Sequence, residues 1–265
     1  MPGHSVVHFV RYLAHGRVRC GWLEGDALVV LDRPPWEGGR PTGQRDSLAG
    51  VELIAPVRPG KIVCVGLNYR AHIAESQSLV PGAEAPREPL IFLKPPSAVI
   101  GPGQPIRYPA GVTRLDPEAE LGIVIGRHAS CVSLAEARAA IAGLTCFNDL
   151  TARNFQREDG QWTRAKGFDT FAPLGPSVAV GIAAEDRGVE CRVNGETRQR
   201  GNTADLLFPV PVLIAHISRI MTLEPGDVIA TGTPAGVAPI LPGDRVVVEV
   251  EGVGVLENRV EKAAS

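Results

Sequence analysis

Hydrophobic and polar residues alternate in short runs along most of the chain, a period of two that predicts strands. Residues 18–23 and 27–31 flank Glu24-Gly25-Asp26, a turn in which glycine can take a positive φ. Further apolar or β-rich runs cover residues 61–67, 90–93, 119–125, 190–193, 227–231 and 245–250, each bounded by turn residues. Asn194-Gly195 between CRV and ETRQ marks a hairpin. Helical spacing is rarer. Ser133-x-x-Glu136 has capping-box spacing and opens an alanine-rich helix predicted to stop at Gly143. Residues 210–221 repeat apolar positions at helical intervals before Glu224-Pro225-Gly226 ends the pattern. The expected fold is therefore mainly β with a few helices (α+β), and the lack of a strand–helix rhythm argues against a Rossmann fold or a TIM barrel.

The polar stretch RPPWEGGRPTGQRD (33–46) reads as a linker. It would join a small N-terminal β domain, residues 1–56, to a main domain, residues 57–265, with the boundary near 57–61. A length of 265 residues suits one large domain with such an annex. The 30 glycines and 23 prolines imply many turns in a folded protein. A formal charge of -2 leaves no basic footprint for nucleic acid or an anionic membrane. The five cysteines include no Cys-x-x-Cys pair, so neither a disulfide framework nor a thiolate zinc site is expected, and a cytoplasmic location is. His8, Arg11 and His15 interrupt the first apolar stretch, unlike a signal-peptide core. The longest apolar run, 206–215, contains two prolines and falls short of the ~20 residues that span a membrane. G-x-G-x-x-G, P-loop, G-x-S-x-G and H-E-x-x-H motifs are absent.

Chemistry is concentrated in a few polar groups beside apolar runs. In EAELGIVIG, strand alternation puts Glu118 and Glu120 on one face, with Cα atoms roughly 6.5–7 Å apart, near enough to share a cation. A solvated strand face neutralised by Arg114 is the plainer alternative. Asp149 closes an apolar run where an uncompensated carboxylate is costly. It can be a third oxygen ligand or a helix cap for residues 151–156. Three carboxylates without a histidine or cysteine cluster suit Mg2+ or Mn2+ better than zinc. His72 and Glu75 are three apart, so on a helix the carboxylate can orient the imidazole as a general base, or the two can form a surface ion pair. Lys166 can offset the carboxylates and bind an anionic substrate, or be solvated. Thr231 can line a pocket rim or belong to a turn.

Together, GLNYRAHIAE, PLIFLKPPSAV, LDPEAELGIVIG, NDLTARNFQ, WTRAKGFDTFAPLGP, VNGETRQ and MTLEPGDVIATGTPAGV resemble the fumarylacetoacetate hydrolase superfamily, in order, from about residue 61 to 257. The resemblance implies a mixed β-roll core, a homodimer, and Mg2+ or Mn2+ held by Glu118, Glu120 and Asp149. It implies catalytic roles for His72, Glu75 and Lys166, with His72 and Glu75 on a lid, and substrate contacts from Arg153, Gln156, Thr170 and Thr231. The similarity is greatest to the 2-hydroxyhepta-2,4-diene-1,7-dioate isomerase and 5-oxopent-3-ene-1,2,5-tricarboxylate decarboxylase type of homoprotocatechuate catabolism. The implied activity is isomerisation or decarboxylation of 2-oxo or 2-hydroxy-enoate carboxylates through a metal-stabilised enolate. Acylpyruvate or fumarylpyruvate hydrolysis and oxaloacetate decarboxylation are the alternatives. A non-catalytic binding relative is disfavoured, because a binding module needs no base beside its metal.

Overall fold

The computed structural model describes residues 6–79 and 85–263, without the side chains of 76–79. The chain begins with β1 (Val7–Ala14), β2 (Arg17–Glu24), β3 (Ala27–Leu31), β4 (Pro41–Ser47) and β5 (Glu52–Ile54). Next come β6 (Ile62–Gly66), α1 (Arg70–Leu79), β7 (Leu90–Lys94), β8 (Val99–Ile100) and β9 (Ile106–Tyr108). The middle comprises β10 (Leu115–Asp116), β11 (Ala119–Ile125), α2 (Leu134–Ala139), β12 (Ile141–Asn148) and β13 (Thr151–Ala152). Two short helices follow, α3 (Arg153–Asp159) and α4 (Thr163–Lys166), then β14 (Ala172–Val180), β15 (Gly188–Val193) and β16 (Glu196–Asn202). The last elements are α5 (Val210–Ile220), β17 (Val228–Ala230), β18 (Arg245–Val250) and β19 (Gly254–Lys262).

Twelve strands form one mixed sheet in the order β4-β3-β2-β1-β14-β12-β11-β17-β6-β7, with β5 added to β1 and β8 to β14. A five-stranded sheet, β16-β15-β18-β19-β9, packs against its centre, and β10 pairs with β13 alone. The architecture is mainly β, as the periodicity predicts. Every residue of β11 is buried, so the strand is apolar on both faces wherever it carries no chemistry. Leu121, Ile123 and Ile125 enter the larger core with Val246, Val248, Ile214 and Ile217, while Val124 joins Ile62, Cys64, Phe147 and Val228 on the opposite face. Burying side chains of this size stabilises by roughly 1.5–3 kcal/mol each. Among the described residues no helix is long and apolar enough to cross a membrane.

The structure departs from the local sequence pattern in four places. The second half of the expected linker is β4, which pairs with β3 at the sheet's edge; an edge strand open to water needs no apolar alternation. β1 carries no predicted strand, yet it pairs with β2, β5 and β14, which joins the N-terminal strands to the main sheet. The capping box of Ser133 and Glu136 forms, but the helix ends at Ala139. Gly143 lies in β12, where a Cβ would stand 2.5 Å from the Ala179 carbonyl oxygen, so this glycine serves strand approach, not helix termination. The stretch after Lys166, irregular by composition, contains β14, a nine-residue central strand.

Candidate active site

The antiparallel pairing of β11 with β12 brings the start of one strand to the end of the other. Asn148 Oδ1 accepts from Glu118 N at 3.1 Å, and Asp149 N donates to Glu118 O at 2.9 Å. Strand alternation then sets Glu120 on the same side. Glu118, Glu120 and Asp149 each offer a carboxylate oxygen within 4.8 Å of the others. They are 5%, 2% and 1% exposed, so the solvated-face alternative fails. Arg114 reaches Asp116 instead, at 2.9 Å. The cap alternative for Asp149 fails too: α3 starts at Arg153 with Ala152 as its cap residue.

Buried cations meet two of the three carboxylates. Lys166 Nζ donates to Glu118 Oε2 at 2.8 Å and to Asp149 Oδ2 at 2.6 Å, and lies 4.8 Å from the Phe92 ring. Lys94 Nζ donates to Asp149 Oδ1 at 2.5 Å and to Leu150 O at 3.0 Å. Arg153 Nη2 donates to Glu118 Oε1 at 2.6 Å and its Nε to Asp116 Oδ2 at 2.8 Å. Among the described residues, Glu120 receives one hydrogen bond, from Gly232 N at 2.8 Å. Gly232 has φ +100°, and a Cβ there would stand 2.8 Å from Asn68 Cβ, so only glycine brings this N–H to the carboxylate.

The electrostatics divide the trio. Burial alone would raise the Glu118 carboxyl, but the Lys166 ammonium and the Arg153 guanidinium overcome it and hold Glu118 well below the usual carboxylate range. Burial, then Asp149 and Glu118, push Glu120 well above that range. Burial pulls Lys94 below the ordinary lysine value despite Asp149, whereas Asp149 and Glu118 outweigh burial and raise Lys166. Three hard oxygen donors, of which Glu120 has no ion pair among the described residues, form a set that fits Mg2+ or Mn2+.

His72 and Glu75 lie on α1, with His72 Nδ1 3.1 Å from Glu75 Oε2. A carboxylate can only accept here, so a neutral imidazole in this geometry would carry its proton on Nδ1 and the lone pair on Nε2. Gly236 N donates to both oxygens of Glu75 at 3.2 Å. His72 is 9% exposed, unlike a member of a surface ion pair. The start of α1 is fixed by Asn68, whose Nδ2 donates to Thr231 O at 2.7 Å and to Phe208 O at 3.2 Å.

The other expected residues divide. Arg153 joins the carboxylates, and Gln156 touches them through Arg153 Nη1 at 3.0 Å. Thr170 Oγ1 accepts from Arg107 N at 2.9 Å, and the Thr231 hydroxyl donates to Leu121 O at 3.0 Å, so both side chains bond to backbone. Lys94, Asp116 and Asn68 also belong to this network, though no local sequence pattern singles them out. The one available signal for Lys94 is a lysine ending the apolar run LIFL before two prolines.

Residues 61–261 match the family described as fumarylacetoacetate (FAA) hydrolase C-terminal, and residues 7–56 match the one described as Rv2993c-like, N-terminal. The solved structure of a 5-carboxymethyl-2-hydroxymuconate delta-isomerase from Mycobacterium smegmatis superposes with a TM-score of 0.90 at 42% identity, covering 97% of this chain and 100% of that one. Maleylpyruvate hydrolase from Sphingobium sp. SYK-6, solved with manganese(II) and pyruvate, gives a TM-score of 0.79 at 29% identity over 97% and 100%. The mitochondrial oxaloacetate tautomerase FAHD2A of Bos taurus is 42% identical over 223 residues, 79% of this chain and 69% of that protein. With seven ordered sequence blocks, a matching fold and relatives that are enzymes of one superfamily, the chain belongs to the fumarylacetoacetate hydrolase family.

Proposed function

We propose that the protein isomerises 2-oxo and 2-hydroxy-enoate carboxylates by proton transfer, using Mg2+ or Mn2+ held by Glu118, Glu120 and Asp149. The observation that carries this reading is three buried carboxylates with oxygens within 4.8 Å of one another, together with the hydrogen-bonded His72–Glu75 pair, whose histidine is buried. The isomerase and tautomerase relatives, and the manganese and pyruvate of the maleylpyruvate hydrolase structure, support it. A bound divalent cation would supply Lewis-acid polarisation of the substrate's oxygen-bearing head.

The chain's own groups do the rest. His72 Nε2 takes the proton from one position and returns it at another, and Glu75 keeps the imidazole in the required tautomer and offsets its charge when protonated. Lys166 and Arg153 offer N–H donors to an anionic head, with Gln156 steadying the guanidinium. Thr170 and Thr231, buried and with their hydroxyls bonded to backbone, frame the substrate pocket in this reading. Hydrolysis of an acylpyruvate-type C–C bond is a second reading, favoured by the maleylpyruvate hydrolase likeness; His72 would then activate water. Decarboxylation calls on the same proton and charge handling. A homodimer belongs to the proposal too, supported by Leu90 and Leu93, 41% and 48% exposed on β7 at the end of the large sheet.

The test follows enol absorbance of oxaloacetate and of 2-hydroxymuconate-type dienoates with purified protein, in chelator and with Mg2+ or Mn2+. Cation-dependent ketonisation without carbon dioxide or C–C cleavage products is expected. Full turnover in chelator would overturn the metal assignment, and cleavage or carbon dioxide as the main outcome would overturn isomerisation. Light scattering at twice the chain mass checks the dimer.

A further inference from the structure

β7 inverts the usual order of burial. Leu93 is 48% exposed while Lys94, the next residue and the last of the strand, is 1% exposed. An ammonium so placed is costly unless it is paired and hydrogen-bonded. It is both, through Asp149 Oδ1 and Leu150 O. Lys166 takes the other oxygen of Asp149. The buried cluster thus sets four carboxylates, Asp116, Glu118, Glu120 and Asp149, against Lys94, Lys166 and Arg153, with Arg114 at its half-exposed edge. The charges nearly balance before any ion is counted.

We propose that Lys94 is a resident counter-cation for Asp149, a positioning residue that keeps the carboxylate trio assembled and paired in the metal-free protein. The cation then enters a site already built. This inference rests on the reading of the trio as a divalent-cation site. Its sign follows from the charges: without Lys94, Asp149 keeps one lysine, and an entering divalent ion supplies the missing positive charge. Loss of Lys94 therefore destabilises the metal-free protein more than the metal-loaded one. By the closed cycle of folding and binding, the ion must bind the variant more tightly by the same factor.

The experiment compares wild-type full-length protein with Lys94→Met in thermal unfolding, in chelator and in saturating Mn2+, and in calorimetric Mn2+ titration. The Tm gain on adding Mn2+ is expected to be larger in the variant, and its Mn2+ Kd lower by about tenfold or more, as befits a unit charge removed a few ångströms from the ion. A variant that folds only with Mn2+ would also support the proposal. An equal Tm loss with and without Mn2+ and an unchanged Kd would assign Lys94 to packing and overturn it, as would failure to fold even with Mn2+. Wild-type protein that binds no Mn2+ would remove the cation reading itself, a failure visible before any variant is made.

Discussion

Glu120→Gln should strengthen the metal-free protein and weaken its hold on a cation. The carboxylate oxygens of Glu118, Glu120 and Asp149 lie within 4.8 Å of one another, and at an effective dielectric near 20 two unit charges so spaced repel by roughly 3–4 kcal/mol, a repulsion felt in full only where Glu120 is ionised, since the same neighbours raise its carboxyl. Lys166, Lys94 and Arg153 offset Glu118 and Asp149, while Glu120 has the Gly232 N–H. A glutamine keeps the size and the acceptor for Gly232, removes the charge, and turns an N–H2 toward two carboxylates. Relief of even a third of one repulsion, about 1 kcal/mol, raises Tm by roughly 2–4 °C in a chain of this size. Loss of one anionic ligand should weaken Mn2+ binding by about 100-fold, the equivalent of roughly 3 kcal/mol. Scanning calorimetry in chelator reads the first effect and isothermal titration with Mn2+ the second. A lower Tm in chelator, or a Kd within about threefold of wild type, would refute the charge argument.

Two further substitutions separate the chemistry from its frame. His72→Asn should retain Mn2+ affinity while turnover falls about 10²–10⁴-fold, the usual contribution of a positioned base; enol absorbance with saturating substrate measures it, and a loss under tenfold would remove His72 from that role. Gly232→Ala forces a side chain into φ +100° and against Asn68, so it should cost roughly 2–3 kcal/mol, weaken Mn2+ binding through Glu120, and lower Tm by several degrees; an unchanged Tm would mean that the turn relaxes freely.

The local pattern was legible where one period dominates. Alternation in AELGIVI named β11 and put Glu118 and Glu120 on one side before any partner strand was known. Asn194-Gly195 named its hairpin, and both residues take positive φ, 53° and 87°, between β15 and β16. Polarity misled at the margins. β4 has polar side chains because its faces meet water, and β14 begins in a Pro- and Gly-rich stretch because its neighbours β1 and β12, not its own composition, make it a strand.

The residue types of the site and their local spacing follow from the chain: two carboxylates two apart on a strand, and a histidine and glutamate three apart on a helix. Their burial and their partners do not, because they depend on segments far apart in sequence. Lys94 meets Asp149 across 55 positions, Gly232 meets Glu120 across 112 and Gly236 meets Glu75 across 161. No window of sequence contains both members of such a pair. A carboxylate that looks like any surface acid becomes a buried, charge-coupled group only when the sheet brings β7, β11, β12 and the glycine turn after β17 to one place, where low polarisability turns proximity into energy.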